Sequence, residues 1–166
     1  MAASDKLFET NEEELSDRHV FRYNYYVRNL TGIQRWPFTR CFQTKCQVLL
    51  TSWQFEMLFQ QVPGSGVVSC SITLKRIDKV NIPVMASLLV SLSRDALDNS
   101  FISEKFAKKG ILPGDEINKS IPEVIPIEHM RTTYYQKIDI AVTIMIRNCH
   151  SKIKTDLERN LRHMKL

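Results

Sequence analysis

Residues 138–146 read Ile138-Asp139-Ile140-Ala141-Val142-Thr143-Ile144-Met145-Ile146, with a β-branched aliphatic at every even position. A period of two puts those five side chains on one face of a strand and Asp139, Ala141, Thr143 and Met145 on the other. This is the pattern of an antiparallel strand with one face in a core. The same period recurs upstream. Val68, Cys70, Ile72 and Leu74 alternate with Ser69, Ser71, Thr73 and Lys75, directly after the turn Val62-Pro63-Gly64-Ser65-Gly66. Val84, Ala86, Leu88, Val90 and Leu92 share one face, and Met85, Ser87, Leu89, Ser91 and Ser93 the other. Trp53, Phe55, Met57 and Phe59 alternate, as do Phe21, Tyr23, Tyr25 and Val27 before Thr31-Gly32. Residues 42–50 read as a further short strand, dense in β-favouring side chains.

The signal is weaker elsewhere. Residues 95–107 suit a short helix or an irregular loop, and Leu112-Pro113-Gly114-Asp115 a turn. Pro122 and Pro126 keep Ile121, Val124, Ile125 and Ile127 out of any helix, so that stretch is an edge strand or an extended crossing. After Asn148 the period becomes helical: Ile153, Leu157, Leu161 and Met164 form one apolar stripe among basic residues, predicting a helix over 151–165. Three regions follow: an acidic arm over 1–18, a β-domain over 19–148 and a basic amphipathic helix over 149–166. The predicted fold is all-β, an antiparallel sandwich of about seven or eight strands with a C-terminal helix. Its core is expected to hold Tyr25, Val27, Trp53, Phe55, Ile72, Leu88, Val90, Ile140, Val142 and Ile144.

Composition agrees. A chain of 166 residues, 43% hydrophobic and 25% charged, suits one globular domain with a core of its own. Its apolar runs are too short and too interrupted for a helical membrane span, and no apolar leader opens the chain. A cytoplasmic or nuclear protein is expected rather than a secreted one, and the sequons at Asn29 and Asn118 are then idle. The net charge of +5 is uneven. Over residues 1–17, Asp5, Glu9, Glu12, Glu13, Glu14 and Asp17 face Lys6 alone, whereas the C-terminal segment is basic. Both ends read as solvated, a fraying helix or a disordered arm at the front.

The catalytic motifs are missing: no Gly-rich phosphate loop, no H-E-x-x-H and no G-x-S-x-G. A noncatalytic protein without cofactor is expected. Cys41, Cys46, Cys70 and Cys149 read as reduced core residues. Zinc tolerates the Cys41-x4-Cys46 spacing, and Cys149-His150 is a conceivable second half. Adjacent strand residues point to opposite faces, however, so no metal site is expected. Basic and aromatic residues do not interleave as a single-strand nucleic-acid platform requires.

A resemblance refines this expectation. Tyr25-Tyr26-Val27-Arg28-Asn29-Leu30 resembles the W-x-I-x-N-F opening strand of the MATH (meprin and TRAF homology) domain, with Phe21 and Tyr23 also fitting. Phe42 and Trp53 resemble the family's F…W-x-L segment, and residues 67–74, 84–93 and 137–146 its later strands. The resemblance spans roughly residues 19–148. It implies an eight-stranded antiparallel sandwich that captures short extended peptides without catalysis. Speckle-type POZ proteins use this domain to recruit ligase substrates, and TRAF proteins to bind receptor tails. This sequence shows no POZ domain, RING or coiled coil, so neither ligase recruitment nor trimerisation is expected. Tyr25 stands for the family tryptophan and Leu30 for the phenylalanine. The family's groove motif W-G-F/W has no counterpart, because Trp36 and Trp53 are the only tryptophans. Its groove residues therefore do not carry over.

The candidate site comes instead from strand alternation. Opposite the core, Val67, Ser69 and Ser71 on one strand and Met85, Ser87, Leu89 and Ser91 on another are small or apolar and uncharged. A solvated face carries more Lys and Glu, so these residues are expected to be covered. An internal segment from 95–130, an extended peptide and a second copy of the chain compete for the place. The expected function is a protein-interaction module, such as an adaptor, for a protein or peptide partner. The alternative is a nucleic-acid or membrane-surface binder acting through the basic C-terminal helix.

Overall fold

The computed structural model describes residues 7–15, 17–28, 35–93, 102–124 and 137–149. Those residues form nine strands and no helix. In chain order they are β1 (Leu7–Glu14), β2 (Arg18–Arg28), β3 (Arg35–Gln43), β4 (Ser52–Gln61), β5 (Val68–Arg76), β6 (Val84–Ser93), β7 (Ile102–Ile111), β8 (Glu116–Ile121) and β9 (Lys137–Arg147). One sheet runs β1-β2-β9-β6-β7 and the other β3-β4-β5-β8, with every pairing antiparallel.

The alternating faces meet between the sheets. All ten expected core residues are buried in one cluster drawn from both sheets. Aromatic contacts cross the interface: Tyr25 stacks on Phe38 with ring centroids 4.0 Å apart, and Tyr23 on Phe55 at 6.5 Å. Trp53 is fully buried and donates its indole N–H to Thr51 Oγ1 at 2.8 Å, so its one polar atom is satisfied.

The described residues depart from the sequence expectation in three places. Residues 7–14 are neither a helix nor a free arm but an edge strand on β2. Charge rather than hydrophobic period accounts for it: Glu13 meets Arg22 at 3.2 Å, Glu12 lies 3.9 Å from Lys45 and Glu14 4.0 Å from His19. The strand expected over 42–50 lies earlier, at Arg35–Gln43. Trp36 and Phe38 point inward there, and Pro37 is tolerated because β3 is an edge. Residues 102–111 form a strand rather than a helix or loop. β7 is the other edge of the larger sheet, and only Ile102, Phe106 and Ile111 reach the core, so lysines hide its period. Its register slips opposite Val84 and Ala86, where Gly110 takes φ 66°, a conformation that favours glycine. The helix expected over 151–165 lies outside the described residues.

Arg76 pins the crossing between the two sheets. Its guanidinium is fully buried and donates to both carboxylate oxygens of Asp78, at 2.9 and 3.0 Å. It also donates to the carbonyls of Val80 at 2.8 Å, Ile82 at 2.6 Å and Ile111 at 2.8 Å. The end of β5, the connection to β6 and the end of β7 are thereby tied to one side chain.

Candidate functional site

The residues singled out from alternation fall on two different faces. β5 belongs to the smaller sheet and β6 to the larger, so Val67, Ser69 and Ser71 lie apart from Met85, Ser87, Leu89 and Ser91. They do not form one site. The physical reason is the crossover: residues 77–83 carry the chain from one sheet to the other, so the outward faces of β5 and β6 look in opposite directions. Ser69 donates its hydroxyl to the Gln60 carbonyl at 3.2 Å, and Ser71 is exposed.

The β6 set gains neighbours that the sequence could not supply. In register, Ser87 lies opposite Met145, Leu89 opposite Thr143 and Ser91 opposite Ala141 on β9. On the other side Ser87 faces Ala107 and Leu89 faces Lys105 of β7. The result is an uncharged strip across β6 and β9. Cations stand around it: Lys105, then Arg22 opposite Thr143, and the Arg18–Arg147 pair at the Met85 end. Met85, Leu89 and Ser91 are half-buried and Ser87 is buried. Ser87 Oγ and Arg147 Nε are both buried without a hydrogen-bond partner among the described residues. A buried polar atom left unpaired costs about 1–3 kcal/mol, so two on one face mark a place where an acceptor is wanted. Next to the strip β7 is an edge strand.

A second constellation lies at the end of the sandwich. A ring nitrogen of His19 and the Sγ atoms of Cys46 and Cys149 lie within 4.8 Å of one another, and all three residues are buried. His19 opens β2, Cys46 sits in the β3–β4 connection, and Cys149 follows β9. Sequence reading paired Cys46 with Cys41 and Cys149 with His150. Cys41 is instead exposed, because it occupies the outward face of β3. His150 lies outside the described residues. His19 was missed because it stands more than twenty residues from any cysteine in the sequence.

Burial pushes the Cys149 thiol up to about 12, with the neighbouring Cys46 adding to the shift. The two thiols and the imidazole are enclosed together at this end of the fold. No protein-family model matches this chain, and no curated protein does either. No described helix is long and apolar enough to cross a membrane.

Proposed function

We propose that this protein is a noncatalytic interaction module that takes an extended peptide along the outer face of its larger sheet, beside β7. The reading is carried by one observation: two buried polar donors without a partner among the described residues, Ser87 Oγ within the uncharged β6–β9 strip and Arg147 Nε at its end. Both seek an acceptor, and Lys105 and Arg147 favour a peptide with acidic residues, while Arg18 and Arg22 already face Asp17 at 3.1 Å and Glu13 at 3.2 Å. An edge strand adds backbone pairing for affinity, and the strip supplies side-chain choice. The resemblance to MATH domains supports the same reading. That resemblance implies an eight-stranded antiparallel sandwich; the described residues form nine strands in two antiparallel sheets of five and four.

The test is selection of random extended peptides against the full chain, followed by titration of the enriched ones. Acidic, partly apolar sequences are expected. Ser87→Glu and Leu89→Lys should each weaken them at least tenfold while the β-type circular dichroism spectrum is retained. No enrichment, or peptides that bind both variants as tightly as the parent, would overturn the proposal. A concentration-dependent dimer that buries the strip would assign the face to a second copy instead.

A further inference from the structure

The geometry points to a zinc site closing one end of the sandwich, with Cys46, Cys149 and His19 as ligands and Glu14 beside them. Two thiolates and an imidazole are the donor set that zinc favours over the harder cations calcium and magnesium. With Zn–S near 2.3 Å and Zn–N near 2.0–2.1 Å, tetrahedral ligand atoms stand about 3.5–3.8 Å apart. The observed atoms, all within 4.8 Å of one another, need only contract by about an ångström around the ion.

Three further features converge on the cluster. Cys149 owes its position to Asn148, which takes φ 67°. Continued alternation from inward Ile144 and Ile146 puts residue 149 on the outer face. The left-handed residue breaks that alternation, and Cys149 is buried instead. Cys46 accepts a hydrogen bond from the Leu49 backbone N–H at 3.5 Å, a donor that stabilises a metal-bound thiolate. Its connection is closed by Thr44 and Thr51, whose backbone N–H and carbonyl pair at 2.9 Å and whose hydroxyls lie 3.1 Å apart. Glu14, opposite His19 in the β1–β2 register, brings a carboxylate oxygen to 4.0 Å from His19 Nε2. It is near the imidazole but outside the group of three atoms that lie within 4.8 Å of one another. Binding displaces one proton from each thiol to solvent and changes no oxidation state. The ion thereby joins three segments far apart in sequence.

The test uses the full chain, purified under reducing conditions, stripped with chelator and titrated with cobalt(II). One equivalent should produce a thiolate-to-cobalt charge-transfer band and the intense visible bands of a tetrahedral site, both bleached by zinc. Cys41→Ser should leave the spectrum unchanged, whereas Cys149→Ser should abolish most of the charge-transfer band. Because Cys149→Ser and His19→Gln alter buried positions, alkylation of the unmutated chain provides an independent arm. Zinc should slow modification of Cys46 and Cys149 at least tenfold relative to the chelated chain, as read by peptide mass spectrometry. Absence of a cobalt spectrum, a spectrum that survives Cys149→Ser, or equal alkylation with and without zinc would overturn the site. So would an intact mass lighter by two hydrogens with Cys46 and Cys149 peptides joined, which would make the pair a disulfide.

Discussion

Replacing Arg76 by alanine should be among the most damaging single substitutions in the chain. The guanidinium spends all five N–H donors inside the protein, on the Asp78 carboxylate and on the carbonyls of Val80, Ile82 and Ile111. Removing it leaves a carboxylate whose side chain is only 9% exposed without its charge partner, held by the Ser52 and Val80 N–H groups alone, and takes a donor from three carbonyls. Breaking a buried, hydrogen-bonded charge pair from one side costs about 3–5 kcal/mol. A domain of this kind is stable by roughly 5–15 kcal/mol, so the variant loses a large share of it. Urea unfolding followed by tryptophan fluorescence measures this directly, since Trp36 and Trp53 are both buried. With a slope of about 2 kcal/mol per molar, the midpoint should fall by roughly 2 M. Arg76→Lys keeps the charge but offers three donors where five are used, so it should recover only part of the loss. An Arg76→Ala midpoint within about 0.5 M of the parent, or full recovery by lysine, would refute the reasoning. The pH dependence gives a second handle. Burial alone raises the Asp78 carboxyl, but hydrogen bonds from Arg76 and from the Ser52 and Val80 N–H groups outweigh it and hold it below the usual 3.8. The unfolded chain therefore takes up that proton first, so the contribution is full above 3.8 and lost as pH falls through the lower folded value. Asp78→Asn should flatten this acid limb.

Three further outcomes are expected. Trp53→Ala, at a fully buried position, should cost about 3–5 kcal/mol in the same urea titration. At Asn148, whose φ is 67°, valine should lower stability by about 1–2 kcal/mol and glycine should be tolerated, as thermal unfolding would show. In native labelling Cys41 should react readily, whereas Cys70, whose thiol burial pushes up to about 12, should stay unmodified until urea opens the core.

The fold was largely legible because a half-buried strand writes its two faces into alternate residues. Central strands such as β9 and β5 carry an apolar inner face, and their period is plain. The edges were harder to read. β7 shows the core few apolar side chains and fills its remaining positions with lysines, Ser103, Glu104, Ala107 and Gly110, which erases the alternation. β1 is held by carboxylates facing Arg22, Lys45 and His19, and no single-strand pattern encodes those partners. Arg76 carried no sequence signal, because its acceptors are the Asp78 carboxylate and three backbone carbonyls that only the fold brings to it. The candidate strip was half legible. Alternation found Met85, Ser87, Leu89 and Ser91, but only sheet order could detach the β5 residues and add Thr143, Met145 and Arg147. The His19, Cys46 and Cys149 cluster was hidden for a related reason: its three residues stand far apart in sequence and only the fold brings them together.

The pairing of β2 with β9 sets a timetable for synthesis. Arg18 and Met145 touch across 127 residues of chain, so β2 leaves the ribosome long before its central partner exists. At roughly 5–20 residues per second, that interval lasts about 6–25 s. Through it, one edge of β2 stays unpaired, and Phe21, Tyr23 and Tyr25 wait for a complete core. A nascent chain in that condition is a substrate for holding chaperones and is prone to pair with other unfinished copies. Premature termination anywhere before residue 137 leaves the same edge open permanently, so truncated products should be cleared or aggregate rather than persist as smaller folded domains.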